Sequence, residues 1–94
     1  MITDELAEAV IRQAKSCKLT IATAESCTAG AIAHVLSQAK GAGEHFHGGF
    51  VTYTKDMKTQ VLGVPAELLA RKSAVCAEVA RAMAQGALVD VLAL

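Results

Sequence analysis

Apolar residues in the first eighteen positions recur three or four apart, with Leu6, Val10, Ala14 and Cys17 on one stripe. That is the period of an α-helix with one buried face. Thr3 precedes it as an N-cap, Asp4 and Glu5 suit the positive end of the helix dipole, and Arg12, Lys15 and Lys18 load the other end. The pattern then changes. "LTIATA", residues 19–24, is short, apolar and rich in β-branched side chains, which predicts a buried strand. Helical spacing returns from about Thr28 to Lys40, with Ile32, Val35, Leu36 and Ala39 on one side and Gly41 and Gly43 as the stop.

"FHGGFVTY", residues 46–53, predicts a second strand whose paired glycines weaken or bend it. Thr54 and Asp56 open a third helix that carries Met57, Val61 and Leu62 and ends at Gly63. Pro65 fits the first turn of a short helix through Ala70. A last helix runs from about Ala77 to Leu88, with Val79, Ala80, Met83, Ala84 and Ala87 inward, and the closing "VDVLAL" predicts a final strand. The order α-β-α-β-α-α-α-β implies an α/β layered domain. Strands apolar on both faces require helices on both sides of the sheet.

At 94 residues the chain is one domain by length, residues 1–94, with no repeat and no linker. An apolar fraction of 53% and a mean hydropathy of +0.40 indicate a packed protein rather than a disordered one. Aromatic residues make up only 3%, so the core must be built from Ala, Val, Leu and Ile. Nine basic and nine acidic residues cancel, which leaves no electrostatic footprint for nucleic acid or an anionic membrane. No signal-peptide pattern opens the chain, and no apolar run approaches the roughly 20 residues of a membrane span. Cys17, Cys27 and Cys76 are odd in number and scattered, which fits a reducing, cytoplasmic setting better than a disulfide framework.

Candidate chemistry concentrates in "TAESCTAG", residues 23–30, at the junction of the first strand and second helix. Ser26 there has two readings. It caps the helix, or it is a nucleophile whose hydroxyl faces free helix N–H groups able to hold an oxyanion. Glu25 and Thr28 stand where a G-x-S-x-G elbow would need glycines. A serine nucleophile also needs a base, and no histidine context identifies one. "YTKDMK" offers Tyr53 at a strand end and Lys58 one turn into a helix, and a strand-to-helix turn aims both into one cleft. Lys55, three residues before Lys58, shares that helix face. Cys27 is a second nucleophile candidate, or a small buried core residue if Ser26 points into the cleft. Glu25 is an acid/base candidate or a charge that orients Lys58. His45 and His47 would present both rings on one strand face to a metal, yet no further ligand follows at finger-like spacing. Gly41 and Gly43 precede a strand and lack a third glycine, so they are no nucleotide fingerprint.

Taken together, "TAESCTAG", "GGFVTY" with a lysine five residues after the tyrosine, "LGV" and "EVARAMAQGA" resemble the CinA C-terminal domain. That competence/damage-inducible family includes nicotinamide-nucleotide amidases of the PncC type. The resemblance covers about Leu6 to Leu88 and implies a three-layer α/β/α sandwich. It also implies a serine amidase that converts the carboxamide of nicotinamide mononucleotide to the carboxylate and ammonia, with no metal or redox cofactor. By the same resemblance Ser26 is the nucleophile, Lys58 its general base and Tyr53 a hydroxyl that assists the pair. Glu25, Cys27, Thr28 and Gly30 lie on the substrate side, with backbone N–H groups near Cys27 and Thr28 holding the oxyanion. The family pattern continues into a threonine- and glycine-rich strand end and further strands that this sequence does not contain. An incomplete cleft, open sheet edges and self-association into a homo-oligomer are therefore expected. Cys76 stands where the family usually has serine at a helix head, a weaker cap.

Overall fold

The computed structural model describes residues 3–92. Helix α1 covers Asp4–Cys17, strand β1 Ile21–Glu25, α2 Ala31–Ser37, α3 Ala42–His45, β2 Phe46–Val51, α4 Lys55–Leu62, α5 Ala66–Arg71 and α6 Ala77–Leu92. The caps follow the sequence. Thr3 accepts from the Leu6 N–H at 3.2 Å and Thr54 from the Met57 N–H at 3.1 Å. Gly63 closes α4 with φ +67, a left-handed conformation that glycine adopts without penalty, and Pro65 leads α5.

β1 and β2 form a two-stranded parallel sheet with Ala22 opposite Gly48 and Glu25 opposite Val51. A register shift between Ile21 and Ala22 inserts an extra β2 residue there. Phe46 and Phe50 therefore face opposite sides of the sheet, as do Ile21 and Ala24. Ile21 and Phe46 pack on the cluster of Ala7, Ile11, Leu36, Ala39 and Ala42, from α1, α2, the turn after it and α3. Ala24 and Phe50 pack on Leu62, Val64, Leu69, Val79, Met83 and Ala87, from α4, the segment after it, α5 and α6. The result is the three-layer α/β/α order expected, with a narrow sheet in the middle.

Four expectations are corrected. The buried stripe of α1 is Ala7, Ile11 and Ala14, while Leu6 and Cys17 are exposed. Both stripes have helical spacing, and the small Ala7 lets α1 approach its neighbours closely. α2 is shorter than expected, because a turn precedes Ala31 and the separate α3 follows Gly41, whose φ is +89. The tail is no strand. Val89 to Leu92 continue α6, since Val79, Met83 and Ala87 extend at four-residue steps to the partly buried Val91. A helix satisfies its own backbone, whereas a third strand needs an edge beside it. The last two residues of that expected strand lie outside the described residues. Within α6, Ala80 and Ala84 are exposed rather than inward.

α6 also fixes α4. A Cβ on Gly86 would overlap the Leu62 carbonyl oxygen and come within 2.7 Å of the carbonyl carbon, so only glycine permits this crossing. The contact matters because α4 carries Lys58.

Candidate active site

β1 delivers consecutive side chains to opposite faces of the sheet, and this alternation separates Glu25 from Ser26. Glu25 turns toward α2 and is only 3% exposed. Its Oε1 accepts from the Thr28 hydroxyl at 2.6 Å and the Ile32 N–H at 2.8 Å, and its Oε2 accepts from the Ala33 N–H at 2.9 Å. Burial pushes the Glu25 carboxyl up, but bonds from Thr28, Ala33, Ile32 and Gly30 together outweigh it and hold the group below the ordinary value of 4.5. Glu25 therefore caps α2 from the strand. It is not paired with Lys58, since both its oxygens are held by Thr28 and the helix end, and the residue also lines the cavity beside Ser26.

Ser26 is correspondingly not a helix cap. The residue at the N-cap of α2 is Gly30, with φ +100, reached through a turn in which Ala29 is also left-handed at φ +52. The Ala29 N–H donates to the Ser26 carbonyl at 3.0 Å and closes that turn. The Ile32 and Ala33 N–H groups at the start of α2 face Glu25 rather than the serine.

The Ser26 side chain meets α4. Lys58, one turn into that helix, is 1% exposed, and its Nζ donates to Ser26 Oγ at 2.9 Å and to the Tyr53 carbonyl at 3.0 Å. Ser26 Oγ also donates to that carbonyl at 3.4 Å. The partners of the amine are a hydroxyl and a carbonyl, while the two ion pairs among the described residues join Arg71 to Glu67 and Lys72 to Glu78. Lys55, by contrast, donates to the Leu69 carbonyl at 3.1 Å, away from the serine.

Tyr53 contributes through its main chain. Its side chain is 68% exposed, so the expected hydroxyl is replaced at the pair by the carbonyl oxygen. β2 ends at Val51, Thr52 turns inward with 1% exposure, and the next residue in the extended chain points out. Sequence spacing marks the residue, but which of its groups faces the lysine depends on where the strand stops.

Ser26, Cys27 and Thr28 line a cavity of about 400 Å³ whose far wall is Val75, Cys76, Ala77, Ala80 and Met83. Cys27 is exposed on this cavity rather than packed in the core, since it lies in the turn and not on the strand. The α6 wall escaped sequence reading because exposed alanines on a helix carry no chemical signal. His45 and His47 do not converge. His45 Nδ1 lies 3.1 Å from the Leu19 carbonyl at the end of α3, while His47 is exposed on β2 toward α6. Among the described residues no three metal-ligating side chains cluster. None of the helices there is long and apolar enough to cross a membrane.

The sequence pattern of the CinA C-terminal domain matches residues 3–93. The chain belongs to the CinA C-terminal domain family. A CinA-like protein of Geobacter sulfurreducens is 51% identical over 79 residues, which are 84% of this chain and 19% of that protein. A putative competence-damage inducible protein of Symbiobacterium thermophilum is 46% identical over 85 residues, 90% of this chain and 20% of that protein. Among solved structures, a CinA superfamily protein from Escherichia coli superposes with a TM-score of 0.89 at 37% identity, covering 94% of this chain and 52% of that one. The competence/damage inducible protein from Agrobacterium tumefaciens gives 0.86 at 42% identity, covering 93% and 53%. The chain thus spans about half the length of these solved relatives and about a fifth of the curated ones.

Proposed function

We propose that Ser26 and Lys58 are the nucleophile and general base of a serine amidase acting on the carboxamide of nicotinamide mononucleotide. One observation carries the reading: a buried lysine amine lies 2.9 Å from a serine hydroxyl at the mouth of a cavity, with no carboxylate bonded to it. A lysine works as a base only as the neutral amine, which has two N–H groups and one lone pair. With one N–H bonded to the Tyr53 carbonyl, the lone pair is free to point at Ser26 Oγ. Lys58 then takes the hydroxyl proton as Oγ bonds to the amide carbon.

The resulting oxyanion is met by backbone N–H groups of the turn at Cys27 and Thr28, because those of Ile32 and Ala33 are held by Glu25. Lys58 returns its proton to the departing nitrogen, ammonia leaves, and an acyl-serine remains. Water, deprotonated by the same amine, releases nicotinate mononucleotide and restores Ser26. These steps require no metal or redox cofactor. The cavity is within the usual size range of small-molecule sites, and Met83 with the α6 alanines offers an apolar wall for a flat ring. A cytoplasmic location belongs to the same proposal.

Ammonia release from nicotinamide mononucleotide tests it. Ser26→Ala and Lys58→Ala should each lower the rate by orders of magnitude, since each removes a chemical participant. Rates within about twofold of the parent chain would remove both residues from these roles.

A second reading has its own observation. The chain spans about half of its solved relatives, and the buried hydroxyls of Thr23 and Thr52 have no hydrogen-bond partner. In that reading the chain is a non-catalytic part of a larger CinA-type assembly, or pairs with a second copy. Restoration of activity on adding the remaining half of a solved relative's domain would favour it. Light scattering on a size-exclusion column measures the self-association, and a monomer would count against the pairing.

A further inference from the structure

The residue before the nucleophile is tied down on every side. Its carbonyl accepts from the Thr52 N–H at 2.9 Å, which joins it to the exit of β2. The next residue along that exit, Tyr53, offers the carbonyl that holds Lys58 Nζ. On the other side its carboxylate accepts three bonds from the start of α2 and from Thr28. Between these two anchors lies the turn that presents Ser26, with two successive left-handed residues, one of them the non-glycine Ala29. A backbone in that conformation persists only where its surroundings over-determine it. The carboxylate is the group that spans the turn from one end to the other.

We propose that Glu25 is a positioning residue for Ser26: its carboxylate locks the 26–30 turn onto α2 so that Oγ is held in line with Lys58 Nζ. This role rests on the Ser26–Lys58 reading above but goes beyond it. It also has a consequence for recognition. The first N–H groups of α2 are occupied by a resident anion, so the helix end does not receive a negatively charged part of the substrate. The Thr28 hydroxyl is a strap on the carboxylate rather than a substrate contact, and it points the same way.

The test compares the parent chain with Glu25→Gln and Thr28→Val. Three quantities are read: covalent labelling of Ser26 by a fluorophosphonate, ammonia release from nicotinamide mononucleotide, and hydrogen exchange at Ile32 and Ala33. Glu25→Gln should expose both amides to exchange and slow labelling by about 10- to 100-fold, the scale set by a misplacement near 1 Å. In turnover the loss should fall on kcat, with KM within about threefold, because the turn aims the nucleophile and does not bind the substrate. Thr28→Val, which removes one strap and leaves the carboxylate in place, should lower labelling in the same direction by less. It therefore carries the test if Glu25→Gln fails to fold.

Labelling at the parent rate in both variants while the two amides open would overturn the positioning role and leave the amidase reading standing. Labelling that depends on Glu25 in a chain that releases no ammonia would uphold positioning and sink the amidase reading. A loss confined to KM would overturn positioning in favour of substrate binding. A parent chain whose Ser26 does not label at all would overturn both.

Discussion

Replacing Lys58 with methionine separates chemistry from packing. The side chain is 1% exposed, and methionine keeps an unbranched stem of similar volume, so no large cavity opens. Two hydrogen bonds disappear, to Ser26 Oγ at 2.9 Å and to the Tyr53 carbonyl at 3.0 Å. An abandoned buried acceptor costs about 1–3 kcal/mol. Against that, Ser26 Oγ already lies 3.4 Å from the same carbonyl and can close on it, and a buried amine no longer has to be desolvated. The opposing effects leave a net stability change of no more than about 2 kcal/mol. For a domain of this size that moves the melting temperature by less than about 15 °C.

The catalytic effect is larger. A general base is worth about 10²- to 10⁴-fold, equivalent to roughly 3–5 kcal/mol of barrier. Ammonia release from nicotinamide mononucleotide by Lys58→Met should therefore fall at least about 100-fold while circular dichroism shows a folded chain. A folded Lys58→Met chain releasing ammonia within about threefold of the parent rate would refute the assignment of the base.

Other consequences follow from the same contacts. Gly86→Ala forces α6 off the Leu62 carbonyl and should cost about 1–3 kcal/mol, read by denaturant unfolding, with slower Ser26 labelling as α4 shifts. Gly49→Ala drives a Cβ into Thr23 Oγ1 and should destabilise by a similar amount. Adding Thr23→Ala should recover much of that loss, because Thr23 Oγ1 is buried without a partner; an additive double variant would contradict the clash. Glu25 titrates below its ordinary value, so it stabilises the fold above the unfolded-state range near 4.5 and loses that contribution as the pH falls through the folded value. Thermal scans from pH 6 downward should show stability falling below that range in the parent and a flatter profile in Glu25→Gln.

The layering and most helix starts were legible in the chain because they depend on local physics. Thr3, Thr54, Gly63 and Pro65 act where their chemistry says they should. The meeting of Ser26 and Lys58 was not legible from spacing alone, which left cap and nucleophile open, and it rested on the family resemblance. What sequence missed depends on tertiary geometry. A serine ahead of a helix reads as a cap until a neighbouring glutamate reaches across seven residues and takes the helix end. The sequence did hold a signal, a carboxylate with a threonine three residues on, just before a left-handed turn. The tail reads as a strand because its valines favour sheets, but its leucines suit a helix and continuation of the α6 stripe decides for one. The position of Tyr53 is legible in the sequence but the contact its carbonyl makes with Lys58 is not, since that depends on where β2 ends.

The pairing of Ser26 with Lys58 is tested most directly by the rate at which a fluorophosphonate labels Ser26, measured by mass spectrometry in the parent chain and in Lys58→Met. This readout needs no substrate pocket beyond the nucleophile and its base. Labelling should be confined to Ser26 and should slow by about 100-fold or more without the amine. Equal rates in the two chains, or labelling elsewhere than Ser26, would contradict the pair as a catalytic unit.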